Sequence, residues 1–420
     1  MVKVEIIATG NELLRGEVEN STTPFLLDQF LGMGYEIGKL ITICDDREQI
    51  KRAVREALTR AEVIVITGGL GPTPDDLTRE ALAGAINQPL EFRPEIWEAI
   101  QLFFRTRNRE TPPANIKQAY LPQQALAVFN SLGTAPGIIV AQGSQTIIAL
   151  PGPPGELIQM FVNEVKPYLK ERYQVAFFQK RCTFKVFGLG ESAILEKLKE
   201  LLKEIKDMPA KICFLPRLGE VHLILQVTGV QKEVESLFFR LEEKVKCLLG
   251  PDLYGVDEAT LPGKVGELLR TQNLTLGVAE SCTGGLIGNY LTNVPGSSDF
   301  FRGGIIAYTN DIKEKLLGVK AGTLAGAGAV SPETAEEMAL GICRVLRSDF
   351  GLATTGIAGP SGGLPENPVG TVYAGLATPS GTFVKKFFYP GVGRITVKTL
   401  AAKGALDFLR RFLINPDEVG

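Results

Sequence analysis

The sequence predicts an α/β protein in which two three-layer α/β domains with mostly parallel sheets are joined by a small α+β domain. Three observations carry that expectation. Extended apolar runs alternate with helical ones in both the first and the last third of the chain, the order that builds a parallel sheet covered by helices. Between about 174 and 256 the alternation gives way to strand, helix, two strands across a tight turn, and helix. The chain has 420 residues, 45% of them hydrophobic, so it can bury several cores and exceeds the usual length of one domain. The segments implied are 1–172, 173–257 and 258–420.

In the first segment, "VKVEIIATG" alternates as a strand and "TTPFLLDQFLGMG" has helical spacing; "YEIGKLITIC", "REQIKRAVREALTRA" and "EVIVITGG" then read as strand, helix and buried strand. "TIIAL" followed by "PGPPGELIQMFVNEVKPYL" adds a strand, a rigid turn and a helix. Loops at the carboxyl ends of such strands are where ligands bind. The middle segment runs "RCTFKVFG", "SAILEKLKELLKEI", "KICFLPR", "EVHLILQVTG" and "KEVESLFFRLEEKVKCLL", with Leu218-Gly219 at the turn. This pattern resembles the KH-like type, giving a small KH-like α+β domain. "GLGE" at 188–191 is not the GxxG clamp of RNA binding and the charges are interleaved, so RNA is not an expected ligand. In the last segment "GKVGELLRTQ", "LTLGVAE", "GLIGNYLTNV" and "GGIIAYT" alternate helix and strand, and Ser331 with Pro332 starts the helix "SPETAEEMALGICRVLRS". "GLATTG", "GTVYAGLAT" and "TFVKKFFY" supply further strands before a closing helix, "TVKTLAAKGALDFLRRFL".

Composition narrows the chemistry. A formal charge of -2 gives no global attraction to phosphate polymers, so nucleic acid is not an expected partner. Six cysteines without a CxxC pair suggest neither a disulfide framework nor a thiolate zinc site. No apolar run is long enough to span a bilayer and the chain opens on a strand pattern, so no membrane partner and a cytoplasmic location are expected. His222, the only histidine, sits in the alternating strand "EVHLILQV" and reads as an ordinary strand residue. Any hydrolytic site must therefore find another base.

"GVAESCTGG" at 277–285 places Ser281, Cys282 and Thr283 at a strand-to-helix junction, followed by Gly284 and Gly285. Ser281 or Thr283 could cap the helix, or the glycines could admit a ligand to the free N–H groups of its first turn. Downstream, "AYTNDIKEK" puts Tyr308 at a strand end and Lys313 one helical turn later, both able to approach the same sheet edge. Amide hydrolysis requires a nucleophile, a base and donors for the oxyanion. Without histidine, a desolvated lysine, or a tyrosine lowered by it, is the available base. Thr355 and Gly356 in "TTGIAGPSGG" open a second glycine-rich loop that could hold a phosphate or the oxyanion. Cys282 is a rival nucleophile, because a thiolate is intrinsically the stronger one.

In the first segment "TGGLGPTPDDLTREA" follows a buried strand, so Gly68, Gly69 and Gly71 mark a loop whose backbone can approach an anion. Asp75 and Asp76 precede the next helix. They could cap it, or hold a divalent metal that polarises a diphosphate.

"AESCTGG", "AYTNDIK", "TTGIAGPSGG" and "PVGTVYAGL", in that order, resemble the carboxy-terminal domain of the CinA (competence-damage-inducible protein A) family. The resemblance implies a nicotinamide mononucleotide deamidase needing no cofactor, with Ser281 as nucleophile, Tyr308 and Lys313 as the proton-handling pair, and Thr355 and Arg394 lining the substrate site. Arg394, in "PGVGRITVK", suits a 5′-phosphate because its planar fork binds such groups bidentately. "ATGNELLRGEVENS" and "LPGPPGEL" similarly resemble the molybdopterin-binding fold found at the front of the same family. That likeness implies ADP-ribose hydrolysis to AMP and ribose 5-phosphate with cobalt, magnesium or manganese, and potassium as a further candidate ion. It places Asp75 and Asp76 on the metal, Asn11 and Glu12 at the rim, and Gly152, Pro153 and Gly155 facing the ligand. Asn115, Lys117 and Gln118 are polar candidates at the same edge. A homodimer is also implied. The alternatives are a pterin-binding module without hydrolysis and an adaptor tied to competence or DNA damage.

Overall fold

The computed structural model describes residues 2–174 and 178–418. Residues 1, 175–177 and 419–420 belong to the expected segments but lie outside the described residues. The chain divides into two compact units, Met1–Lys180 with Val227–Phe238 and Arg181–Gln226 with Phe239–Gly420. Most of the expected middle segment thus groups with the last one.

The first unit holds strands β1 (Lys3–Thr9), β2 (Glu36–Ile43), β3 (Val63–Thr67), β4 (Leu90–Phe92), β5 (Tyr120–Pro122), β6 (Leu126–Val128), β7 (Gly137–Gln142) and β8 (Gln145–Leu150). Six form one sheet in the order β2-β1-β3-β8-β7-β6, while β4 and β5 pair separately. β1 runs parallel to β2 and β3, and β3 parallel to β8; β7 and β6 extend the sheet antiparallel. The central strand is apolar along its length because both faces are covered. Val63 and Val65 join Leu26, Phe30, Leu157 and Phe161 on one side, and Ile64 and Ile66 join Ile50, Val54 and Leu82 on the other. This period of two is what divides one strand between two helical layers. The short antiparallel strands β6 and β7 were not expected from the sequence.

The remaining strands are β9 (Phe178–Phe187), β10 (Ala210–Arg217), β11 (Glu220–Gly229), β12 (Leu253–Val256), β13 (Leu276–Glu280), β14 (Phe301–Ile306), β15 (Phe350–Gly356), β16 (Thr371–Thr378) and β17 (Gly381–Phe388). Four make the KH-like sheet, order β10-β11-β9-β12, with the expected helices Glu191–Glu204 and Gln231–Leu249. His222 is half-buried on β11 and pairs with Glu220 at 3.0 Å, as a satisfied strand histidine should.

The second unit's main sheet has the order β14-β13-β15-β16-β17. β13 is parallel to both neighbours; β16 and β17 continue antiparallel. The helices Leu261–Thr271 and Arg394–Ile414 cover one face through Val265, Leu269, Leu406 and Leu409. Leu317, Met338 and Ile342, from the helices Asn310–Leu317 and Pro332–Leu346, cover the other. Ser331 caps the latter by accepting the Thr334 N–H at 3.1 Å, with Pro332 at its first position. Among the described residues no helix is long and apolar enough to cross a membrane.

Phe161 is fully buried, with its ring edge-on to Phe25 (5.7 Å) and Phe30 (5.3 Å). Phe161→Ala is expected to destabilise the first unit by about 3–5 kcal/mol, measured from its urea unfolding midpoint.

Candidate active sites

In both units the candidate residues collect at the carboxyl ends of parallel strands. Ser281 follows β13 directly and is buried, its N–H donating to the Thr354 carbonyl at 2.9 Å. Gly284 and Gly285 follow with φ of 64° and 95°, a left-handed pair that bends the chain into the helix Leu286–Thr292 and that side chains with a Cβ rarely adopt. Glu280, the last residue of β13, was missed by the sequence reading. Its buried carboxylate accepts the N–H groups of Gly285 (3.0 Å), Ile287 (3.1 Å) and Gly288 (2.8 Å), filling the helix start from inside the chain. The N–H groups of Thr283 and Gly284 have no acceptor among the described residues. They lie beside Ser281 and can receive an oxyanion.

Lys313, one turn into the helix Asn310–Leu317, is 1% exposed. Its Nζ lies 3.1 Å from Ser281 Oγ, 2.9 Å from the Ala307 carbonyl and 3.4 Å from the Tyr308 carbonyl. No carboxylate pairs with it among the described residues, and burial pulls its pKa down from the ordinary lysine value. An ammonium has three protons and no lone pair, whereas a neutral amine has two protons and one. Nζ is placed to donate to Ser281 Oγ and both carbonyls as an ammonium, or to take the Ser281 proton on its lone pair as an amine, and burial shifts it toward the amine.

The rest of the predicted set is rearranged. Tyr308 lies two residues beyond β14, not within the strand; it is 57% exposed, and its phenol oxygen accepts from Arg394 Nη2 at 2.7 Å. Only its backbone carbonyl reaches Lys313, so the expected phenol–amine pair is not formed. Arg394 also donates to the Gly359 carbonyl at 2.8 Å. Thr355 is buried and donates to the Ala329 carbonyl at 2.6 Å, while Thr354, on the opposite face of β15, carries the hydroxyl paired with Thr283 at 2.7 Å. Gly356 packs against β16, where a Cβ would meet the Thr371 carbonyl. Cys282 is buried among Ala358, Val372, Val397 and Ala401, and burial pushes its thiol up to about 12. A thiol so placed is protonated at neutral pH.

In the first unit a cleft of about 530 Å³ opens at the ends of β1, β3 and β8. Glu12, Gly68, Gly69, Gly71, Asp75, Asp76, Gly152 and Pro153 line it as expected, together with Gln118. Asn11, Asn115, Lys117 and Gly155 do not line it. The Asn115 amide donates to Gln118 (2.7 Å) and Thr134 (3.3 Å), and Lys117 donates to the carbonyls of Thr73 (2.6 Å) and Asp76 (3.0 Å). Asn11 contributes its N–H to Asp45 at 2.9 Å, and Gly155 lies in the first turn of the helix beginning at Pro154.

Asp45 lines the same cleft and was not foreseen, because nothing local to "CDDREQ" marks it as different from the adjacent helix cap Asp46. Burial raises its carboxyl, the Asn11 N–H opposes the rise, and Glu12, Asp75 and Asp76 add to it. Asp75 is held low chiefly by the Thr73 hydroxyl. These are hard oxygen donors of the kind that suit a divalent cation. Among the described residues, however, no three acidic, histidine or cysteine side chains converge as a preformed metal site. A cation held by Asp75 and Asp76 would depend on phosphate oxygens or water for its remaining ligands.

The first-unit cleft and the Ser281–Lys313 pair of the second unit both lie at the carboxyl ends of parallel strands in an α/β protein. Sequence comparison then gives its family. Profiles match the "Probable molybdopterin binding domain" at residues 5–171, the "Damage-inducible protein CinA KH domain" at 181–255 and the "CinA C-terminal domain" at 258–413. A competence-damage inducible protein of Caldanaerobacter subterraneus subsp. tengcongensis is 42% identical over 411 residues, covering 97% of this chain and 98% of its own. A CinA-like protein of Kosmotoga olearia is 42% identical over 414 residues, covering 98% and 99%. The crystal structure of a competence/damage inducible protein from Agrobacterium tumefaciens is 38% identical and covers 36% of this chain and 94% of its own, with a TM-score of 0.34. The chain belongs to the CinA family, a membership that suggests an enzyme of the hydrolase kind.

Cys213 and Cys247 are exposed, in contrast to Cys282. At pH 8, iodoacetamide is expected to label those two while leaving Cys282 unmodified until the protein is denatured, as read by peptide mass spectrometry.

Proposed function

We propose that the C-terminal site deamidates nicotinamide mononucleotide to nicotinate mononucleotide and ammonia. The observation that carries this reading is the buried Lys313 amine 3.1 Å from the Ser281 hydroxyl with no counter-charge beside it. Neutral Lys313 accepts the Ser281 proton as Oγ attacks the carboxamide carbon. The N–H groups of Thr283 and Gly284 stabilise the tetrahedral oxyanion. Lys313 returns the proton to the departing nitrogen, ammonia leaves, and a Ser281 ester remains. Water, deprotonated by Lys313, hydrolyses the ester, and Ser281 recovers its proton. Tyr308 and Arg394 act on the substrate rather than on Ser281.

The front cleft is proposed to hydrolyse ADP-ribose to AMP and ribose 5-phosphate. Supporting it are the glycine loop at 68–71 and the carboxylates of Asp75 and Asp76 in one cleft. A divalent cation held there would supply charge neutralisation on the diphosphate and a more acidic water. The chain's own share is to orient the diphosphate along the Gly68–Gly71 backbone and to anchor Asp75 and Asp76 through Thr73. The molybdopterin-binding match favours a second reading, a module that binds a pterin or nucleotide without turnover.

Ammonia release from nicotinamide mononucleotide is expected to fall on the order of 10³-fold or more in Ser281→Ala and Lys313→Ala, and to persist in Cys282→Ala. Loss in Cys282→Ala with retention in Ser281→Ala would show the assignment to be wrong. Because the active amine is unprotonated and burial lowers its pKa, kcat/KM should rise with pH through a midpoint below the ordinary lysine value of 10.5. For the front cleft, manganese should raise the melting temperature of wild type but not of Asp75→Ala, and only wild type should cleave ADP-ribose. Pterin binding without cleavage would select the second reading.

A further inference from the structure

Lys398 has no part in the chemistry described above, yet it lies against the nucleophile loop. It follows Arg394 by one turn on the helix Arg394–Ile414, and its Nζ is 3.4 Å from where a Cβ on Gly284 would stand. It is half-buried and, among the described residues, makes no hydrogen bond or ion pair. Arg394 has only neutral acceptors, the Gly359 carbonyl and the Tyr308 phenol. Two cations four residues apart on one helix face repel each other, and the amino-terminal end of a helix disfavours positive charge. The first turn of this helix carries no acidic residue to offset either effect. Neither cation has a carboxylate partner among the described residues, and an anion bound between them would offset both effects.

The neighbouring anion position is already filled. At the start of the helix Leu286–Thr292 the Glu280 carboxylate accepts from Gly285, Ile287 and Gly288, so a substrate phosphate would meet a like charge there. The N–H groups of Thr283 and Gly284 are left for a carbonyl oxygen, and the cations for the phosphate. We propose that Lys398 is a specificity-determining residue: with Arg394 it grips the phosphate dianion of a mononucleotide, so the site selects phosphorylated pyridine nucleosides over unphosphorylated ones. This inference rests on the deamidase reading for its reaction, though not for its anion.

The test compares wild type, Lys398→Gln and Lys398→Arg on nicotinamide mononucleotide and on nicotinamide riboside, with thermal midpoints as a folding control. Lys398→Gln is expected to raise KM for the mononucleotide about tenfold or more, to leave kcat within a few-fold, and to leave kcat/KM for the riboside unchanged, with Lys398→Arg restoring most of the loss. Equal losses on both substrates, or an unchanged KM for the mononucleotide, would overturn the proposal. Calorimetric binding of nicotinate mononucleotide separates the two readings, since it requires no turnover. Binding weakened by Lys398→Gln in a protein that releases no ammonia would keep the phosphate grip and remove the deamidase. Ammonia release with binding indifferent to residue 398, or no binding at all, removes the grip.

Discussion

Burial of one amine without a counter-ion is the constraint on which the C-terminal site depends. An ammonium taken out of water with no carboxylate to meet it is strongly disfavoured, so the side chain of Lys313 moves toward its neutral form. The Ala307 and Tyr308 carbonyls hold its Nζ in place, 3.1 Å from Ser281 Oγ. The helix Asn310–Leu317 makes this possible by packing Leu317 into the core on the same side of the sheet, which carries Lys313 under the loop instead of into solvent.

The loop itself is shaped by a division of its N–H groups. Thr354 and Glu280 take those of Ser281, Gly285, Ile287 and Gly288, and leave those of Thr283 and Gly284 beside the serine without an acceptor among the described residues. A carboxylate fixed at a helix start does the work usually left to water or a bound anion. It would also repel a negatively charged ligand from that turn. Sequestered under the same loop, Cys282 packs as a small apolar residue.

The front cleft uses the opposite device. There the carboxylates of Glu12, Asp45, Asp75 and Asp76 gather at the strand ends, and the Asp45 carboxyl is raised chiefly by burial, with its acidic neighbours adding to the rise. Lys117 helps lower Asp75 through space, while its ammonium donates to the backbone carbonyls of Thr73 and Asp76. Positive charge from outside the chain is what such a cluster is suited to accept.

Much of this was legible in the sequence because it depends on neighbours along the chain. Strand and helix order, the Ser331 cap, the glycine turns at 68–71 and 284–285, and the serine at the end of β13 all follow from local spacing and backbone preference. The one histidine in an alternating strand already required another base. What the sequence left open was decided by residues far apart in it. Thr354 rather than Thr355 backs the nucleophile because pairing with β13 selects the face; Tyr308 turns to Arg394 because the closing helix brings the guanidinium to it; Asp45 joins Asp75 because β1, lying between β2 and β3, brings their following loops to one edge. Periodicity reports which side of an element is buried, and it carries no information about which buried or charged groups of other elements will be found there. Only tertiary packing supplies the neighbours that lower one lysine, raise one aspartate and leave Lys398 without a partner among the described residues.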